Sequence, residues 1–312
     1  MTAAAPVLVL YGPMMAGQRA AWEADYRIVQ LAGGELPPAE LADAIEVIAS
    51  GDTVPNALID ALPALRLVAC FSTGYTGIDL AHLASRGIAL TTAGGVNAHD
   101  VADHAVALAL ALWHGIPAAD RSVREGGWRE SRVPRASLRG KHAGIIGLGR
   151  IGGAIAGRLA AHEMEVRWWG PHAKPGAPFA RAANLADLAQ WSDVLVVASR
   201  AAPENRHQVD AAVLAALGPT GMLVNISRGF LVDEEALISA LRAGAIGGAA
   251  LDVFEKEPSP PEKWDGVPNT VLTPHIAGYT QEAGIDMRRQ QHENVRRHFA
   301  GEPLLTPVHD PL

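Results

Sequence analysis

The run Ala143-Gly-Ile-Ile-Gly-Leu-Gly-Arg-Ile-Gly-Gly153 restricts this chain more than any other stretch. A short apolar segment ends at Gly147, glycines follow at 149 and 152, and Ala154, Ile155, Leu159 and Ala160 then recur at helical spacing. The hydrophobic period switches from strand to helix across one tight turn. In a strand, G-x-G-x-x-G turn, helix unit each glycine has its own task. One makes the turn, one lets the backbone approach a pyrophosphate, and one lets helix and strand pack closely. The first-turn N–H groups and the helix dipole then face the anion. With 32 glycines in the chain the motif alone says little; the strand before it and the helix after it point to dinucleotide binding.

The rest of the chain has the rhythm of such a fold. From Val7 to about Thr92, apolar runs at Val7–Tyr11, Arg27–Leu31, Ile45–Ile48, Leu67–Phe71 and Ile88–Thr91 alternate with helix-like pieces, which predicts a parallel sheet covered on both faces. Its one unusual loop, Phe71-Ser-Thr-Gly-Tyr-Thr-Gly-Ile-Asp79, leaves a strand at its carboxyl end, where open α/β sheets place ligands. The N–H groups of Thr73 and Gly74 suit a small carboxylate there, and a plain glycine-rich turn fits the residues equally. Asn97 to His114 reads as a long helix with Val101, Ala105, Leu108 and Leu112 on one face, bridging two domains. Asp100, Asp103 and His104 on it read as helix-start and surface residues. A polar arm from Asp120 to Arg139, with Gly126, Gly127 and Trp128, suits wrapping around another subunit. From Lys141, strands are expected near 143–147, 165–169, 194–198, 222–226, 247–251 and 270–273, and an amphipathic helix from Thr280 to about Phe299.

Composition narrows the class further. The length of 312 residues suits two domains with full cores, and 49% hydrophobic with 19% charged residues is ordinary for a globular protein. The single cysteine, Cys70, lies in an apolar run and reads as core; no disulfide framework is possible within one chain, which fits a reducing, cytoplasmic setting. The N-terminal apolar run is too short for a signal peptide or membrane span. A net charge of -7 without a long Lys/Arg block argues against nucleic-acid or membrane partners, and no metal is expected.

Three polar residues follow separate strands of the second sheet: Arg228 after Leu223–Ser227, Asp252 after Gly247–Leu251, and His275 after Val271–Pro274. A parallel sheet brings all three to the edge that carries the glycine turn. Glu257 lies on a loop leaving the same edge. Hydride transfer to a 2-oxo acid needs a cation to hold the carboxylate and polarise the carbonyl, and an acid for the developing alkoxide. The planar, permanently charged fork of arginine suits the first task. Histidine suits the second, and a carboxylate beside it favours its protonated form and fixes the ring. Taken singly, each is explained as well by a surface ion pair, a solvated loop acid, or one histidine among twelve; their common edge is what singles them out.

The order Gly-Leu-Gly-Arg-Ile-Gly152, Val224-Asn-Ile-Ser-Arg-Gly229, Leu251-Asp-Val-Phe-Glu-Lys-Glu-Pro258 and Thr273-Pro-His-Ile-Ala-Gly278, with Ser72–Asp79 and Asn97, resembles the D-isomer-specific 2-hydroxyacid dehydrogenases. The resemblance implies two doubly wound parallel-sheet α/β domains: a flavodoxin-like substrate domain of residues 1–98 and 281–312, an inserted Rossmann domain of 99–280, and a cleft between them. It implies Arg228, Glu257 and His275 as catalytic residues, and Thr73, Gly74, Arg228 and His275 as substrate contacts. It also implies a cofactor held by Gly147, Leu148, Gly149, Arg150, Ile151 and Gly152, and by Ser199, Arg200, Ile226, Asp252, His275 and Gly278, in a homodimer built on the long helix and arm. One departure bears on the cofactor. An NAD enzyme carries Asp or Glu about 20 residues past the glycines for the ribose 2'-OH. Here Gly170 stands at that place, followed by Pro171, His172 and Lys174. His172, Lys174 or Arg200 would pair with a 2'-phosphate, so NADP(H) is expected over NAD(H), which remains possible. The expected reaction is NADPH-dependent reduction of a small 2-oxo acid of the glyoxylate or hydroxypyruvate class. A bulkier acid such as phenylpyruvate, and a non-catalytic NAD(P)-sensing protein of corepressor type, are the alternatives.

Overall fold

The computed structural model describes residues 5–308. Two compact units divide the chain: Met1–Asn97 with Thr280–Leu312, and Ala98–Tyr279.

The first unit holds strands β1 (Val7–Tyr11), β2 (Arg27–Leu31), β3 (Ile45–Ser50), β4 (Leu67–Cys70) and β5 (Ala89–Thr91), in the order β2-β1-β3-β4-β5. All four pairings are parallel, and the order is flavodoxin-like. Successive residues of one strand enter opposite cores. Val9, Ile48 and Val68 join one, while Leu8, Val47, Leu67 and Ala69 join the other. That is the period of two expected of strands covered on both faces. Helix Gln281–Ala300 returns to this unit, with Val295 buried against the sheet. The buried Gln291 amide donates to the carbonyls of Ser50 (3.0 Å) and Ala69 (2.7 Å), tying the helix to two strands. Cys70 is buried as expected, and burial pushes its thiol up to about 12, so it is inert at neutral pH.

The second unit is a sheet of β6 (His142–Ile146), β7 (Glu165–Trp169), β8 (Ala180–Arg181), β9 (Val194–Val197), β10 (Met222–Asn225), β11 (Gly248–Leu251) and β12 (Thr270–Leu272). The order is β12-β11-β10-β9-β6-β7-β8, all pairs parallel. Direction of winding reverses between β6 and β9, the switch point at which such sheets bind dinucleotides. Strand β8 was not expected; two exposed residues at a sheet edge carry no readable period. Helix Ala98–Trp113, expected to bridge domains, buries Val101, Ala105, Leu108 and Leu112 in the core of this second sheet. The polar arm starts within helix Ile116–Arg124; that helix and the arm leave Ile116, Val123, Trp128 and Val133 exposed. No single helix among the described residues is long and apolar enough to cross a membrane.

Strand β6 enters the glycine turn at Gly147, whose φ of 90° lies in the left-handed region. A Cβ on Gly152 would stand 1.9 Å from the Gly147 carbonyl oxygen, so helix Arg150–Ala161 touches the turn itself. Gly152→Ala is therefore expected to destabilise the second unit by about 1–3 kcal/mol. Calorimetry checks this, and an unchanged melting temperature would contradict the close approach.

Candidate active site

The glycine turn has the shape a pyrophosphate needs. Gly149 is the N-cap of helix Arg150–Ala161 and, having no side chain, supplies no side-chain cap bond. A Cβ built at Gly149 meets nothing within 4 Å, so the space before the helix is open. Leu148 and Ile151 pack partly into the core beneath. Across the switch point, Ser199 follows β9 and lies so near that a Cβ on Gly147 would stand 2.5 Å from its Cα. Lys174 folds back over the turn and donates to the Leu148 carbonyl at 2.7 Å. His172 and Arg200 are exposed at the same sheet edge, after β7 and β9. Arg181, which sequence reasoning passed over, donates to the Gly170 carbonyl at 2.7 Å. These residues fit a dinucleotide: open space before a helix start, and basic side chains where the protein carboxylate for a ribose hydroxyl is missing. Among the described residues, no group of three or more His, Cys, Asp or Glu is placed to hold a metal ion.

Arg228, Glu257 and His275 come together at the carboxyl edge of the same sheet. His275 Nδ1 lies 2.7 Å from Glu257 Oε2. An ionised carboxylate only accepts, so Nδ1 carries the proton and Nε2, across the ring, is left for exchange with a substrate. Burial pushes the Glu257 carboxyl up. The hydrogen bonds from His275 and the Phe254 N–H, with the His275 and Arg228 charges, outweigh burial and hold it below the usual carboxylate range. Arg228 is half-buried and extends from the end of β10, with Nη1 on the Ser227 carbonyl at 2.7 Å.

The loop bearing Glu257 is pinned from beneath. Gly229 allows it to lie close, since a Cβ there would stand 1.8 Å from the Phe254 carbonyl carbon. The Glu255 N–H donates to the buried Glu234 carboxylate at 2.5 Å, which Lys263 pairs at 2.6 Å. Sequence reasoning missed Glu234; an acid in the first turn of a helix reads as a dipole partner.

Asp252 is fully buried at the end of β11. Its Oδ1 accepts from Thr273 Oγ1 (2.6 Å) and Ile276 N (2.9 Å), and its Oδ2 from Ala277 N (2.8 Å). His104, read from sequence as a surface residue, is instead three-quarters covered, with Nε2 3.0 Å from Thr273 Oγ1 and 3.5 Å from Asp252. Asp103 does face outward, paired with Arg158 at 2.6 Å. Ile226 is buried after β10, and Gly278 ends the His275 loop. Thr73 and Gly74 belong to the first unit, in the loop after β4. The Ser72 hydroxyl donates to the Gly74 carbonyl at 2.5 Å and fixes that loop. Among the described residues the amides of Thr73 and Gly74 donate to no group of the chain.

A doubly wound sheet with a glycine turn at its switch point and a His–carboxylate pair on the same edge is the architecture of a nicotinamide-dependent oxidoreductase. Residues 106–277 match the family described as D-isomer specific 2-hydroxyacid dehydrogenase, NAD binding domain. The chain belongs to the D-isomer-specific 2-hydroxyacid dehydrogenases. It is 44% identical over 252 residues to glyoxylate/hydroxypyruvate reductase A of Arabidopsis thaliana, covering 80% of each chain. Identity to hydroxyphenylpyruvate reductase of Plectranthus scutellarioides is 43% over 252 residues, again with 80% of each covered. An NADPH-dependent glyoxylate/hydroxypyruvate reductase of Sinorhizobium meliloti, solved with NADP and malonate, superposes with a TM-score of 0.90 at 36% identity, covering 97% of this chain and 96% of that one.

Because the Glu257 carboxyl sits below its ordinary range, it stays ionised throughout neutral pH. Glu257→Gln replaces the ionised acceptor of the His275 Nδ1–H by a neutral amide. With its carboxyl held low, Glu257 keeps this charged contact from neutral pH down through the usual carboxylate range and loses it only below that range. Glu257→Gln is therefore expected to lower kcat about tenfold at neutral pH and to abolish any fall in kcat that protonation of Glu257 causes on the acid side. A kcat profile against pH checks this, and a profile identical to the wild type would separate Glu257 from the proton chemistry.

Proposed function

We propose that this enzyme reduces a small 2-oxo acid of the glyoxylate/hydroxypyruvate class to the D-2-hydroxy acid with NADPH. The observation that carries the proposal is the His275–Glu257 contact at 2.7 Å on the sheet edge that Arg228 shares. Arg228 holds the substrate through its planar fork and polarises the carbonyl. His275 delivers the Nε2 proton to the carbonyl oxygen as charge develops there. Glu257 keeps the ring oriented by accepting from Nδ1. In the first unit, the unspent amides of Thr73 and Gly74 are suited to a carboxylate. The nicotinamide, when bound, supplies the hydride. The residues that would hold its dinucleotide are the turn Gly147–Gly152 with Ser199, Arg200, Ile226, Asp252 and Gly278.

The NADP preference rests on Gly170, which presents no carboxylate to repel a 2'-phosphate, and on Lys174, already seated over the turn. Arg200 adds positive charge on the same edge, and the exposed His172 ring adds a hydrogen-bonding group. A similar reductase bound to NADP supports the same reading. A bulkier 2-oxo acid is the second reading, favoured by the likeness to hydroxyphenylpyruvate reductase. A homodimer would cover Val123, Trp128 and Val133 on the arm and Ile116 just before it. We place the protein in the cytoplasm, where a single buried cysteine is at home.

A spectrophotometric panel of 2-oxo acids with NADPH and NADH tests the activity directly. His275→Ala is expected to lower kcat by about 10²-fold or more, and Arg228→Ala to damage KM and kcat together; near-normal turnover in either folded variant overturns its role. Lys174→Ala should raise the KM for NADPH and leave that for NADH near its starting value. An equal effect on both cofactors would remove Lys174 from 2'-phosphate recognition.

A further inference from the structure

His104 stands apart from the groups so far assigned, on a different element, yet it touches the support of the proton donor. It projects from helix Ala98–Trp113, which packs across β10, β11 and β12. A count of protons fixes its part in the contact. The Thr273 hydroxyl has one proton and lies 2.6 Å from Asp252 Oδ1. The carboxylate already takes the N–H groups of Ile276 and Ala277 and only accepts, so the hydroxyl donates to it. The remaining contact of that hydroxyl, His104 Nε2 at 3.0 Å, is then a donation from the ring, and His104 bears its proton on Nε2. The same N–H lies 3.5 Å from Asp252 Oδ1.

This arrangement surrounds one residue. His275 has a φ of 56°, a region that non-glycine residues adopt at a cost. Before it stands Thr273, whose hydroxyl and carbonyl are both engaged; the carbonyl accepts the His275 N–H at 3.0 Å. After it stand the two amides held by Asp252. We propose that His104 is a positioning residue for His275: through Thr273 and Asp252 it fixes the strained turn that aims the His275 ring, and so sets the rate of proton delivery without touching substrate. The proposal rests on the reading of His275 as the proton donor.

Four variants test it: His104→Leu, which removes the donor, His104→Gln, which keeps one, Thr273→Val, and His104→Leu with Thr273→Val. Loss of one buried hydrogen bond in the support is expected to lower kcat about tenfold in His104→Leu. KM for the 2-oxo acid and the Kd for NADPH should change little, and His104→Gln should recover most of the loss. Since both side chains act through one hydroxyl, the double variant should be no slower than Thr273→Val alone. Hydrogen exchange of the peptide spanning 273–279 should quicken in His104→Leu while β6, β9 and β10 exchange as before. Wild-type kcat and exchange in His104→Leu overturn the proposal, as do additive losses in the double variant or a glutamine variant no better than leucine. If the unaltered enzyme reduces no 2-oxo acid with either cofactor, the functional reading fails instead, and the exchange comparison alone then decides the positioning role.

Discussion

The carboxylate of Asp252 is the constraint on which the reacting edge depends. Fully buried charge is costly unless its lone pairs are occupied, and here one hydroxyl and two backbone amides occupy them. All three donors come from residues 273–277. The end of β11 is thereby fastened to the loop that follows β12, two elements that a parallel sheet only guarantees to be neighbours. Removing any one donor leaves a charged acceptor short in a place water does not reach, at roughly 1–3 kcal/mol. The loop is thereby tied down on both sides of His275, by Thr273 before it and by the Ile276 and Ala277 amides after it.

A similar device holds the opposite side of the His–carboxylate pair. Glu234 is buried at the start of helix Glu234–Arg242 and receives the Glu255 amide, with Lys263 balancing its charge. Gly229 clears the space that lets the Glu257 loop descend onto the end of β10. Arg228, its neighbour, is brought near that loop by this close backbone approach, while its own hydrogen bonds, to Ser227 and from Asn225, stay within its own turn. Two buried acids, neither of which need meet substrate, thus fix the separation between guanidinium, carboxylate and imidazole.

Much of this was legible in the residues because topology does part of the work. Apolar runs such as Val194–Val197 announce strands buried on both faces, and a parallel sheet delivers whatever follows them to one edge. Arg228, Asp252 and His275 were visible for that reason alone. Strand β8 escaped because two exposed edge residues bear no period, and Arg181 on it escaped with it. His104 was misread for a different cause: within an Ala- and Leu-rich helix, a histidine beside two aspartates looks solvent-facing, and only the partner 169 positions away reveals otherwise. Pairings of that kind depend on where a helix lies across a sheet, which local pattern does not specify.

Burial and reactivity are graded across the edge in opposite directions. Asp252 and Glu234 are almost wholly covered, whereas the side chains of His275 and Glu257 are 44% and 36% exposed. A group that must exchange a proton with a substrate cannot be sealed, and a group that must not move is best sealed. The same division explains why the turn at Gly147–Gly152 combines a covered glycine with an open one. Gly152 is spent on packing helix against strand, and Gly149 is left bare for an anion. Rigidity and access are supplied by different residues within a single short motif, and at the other end of the edge by different acids: Asp252 and Glu234 for the first, Glu257 for the second.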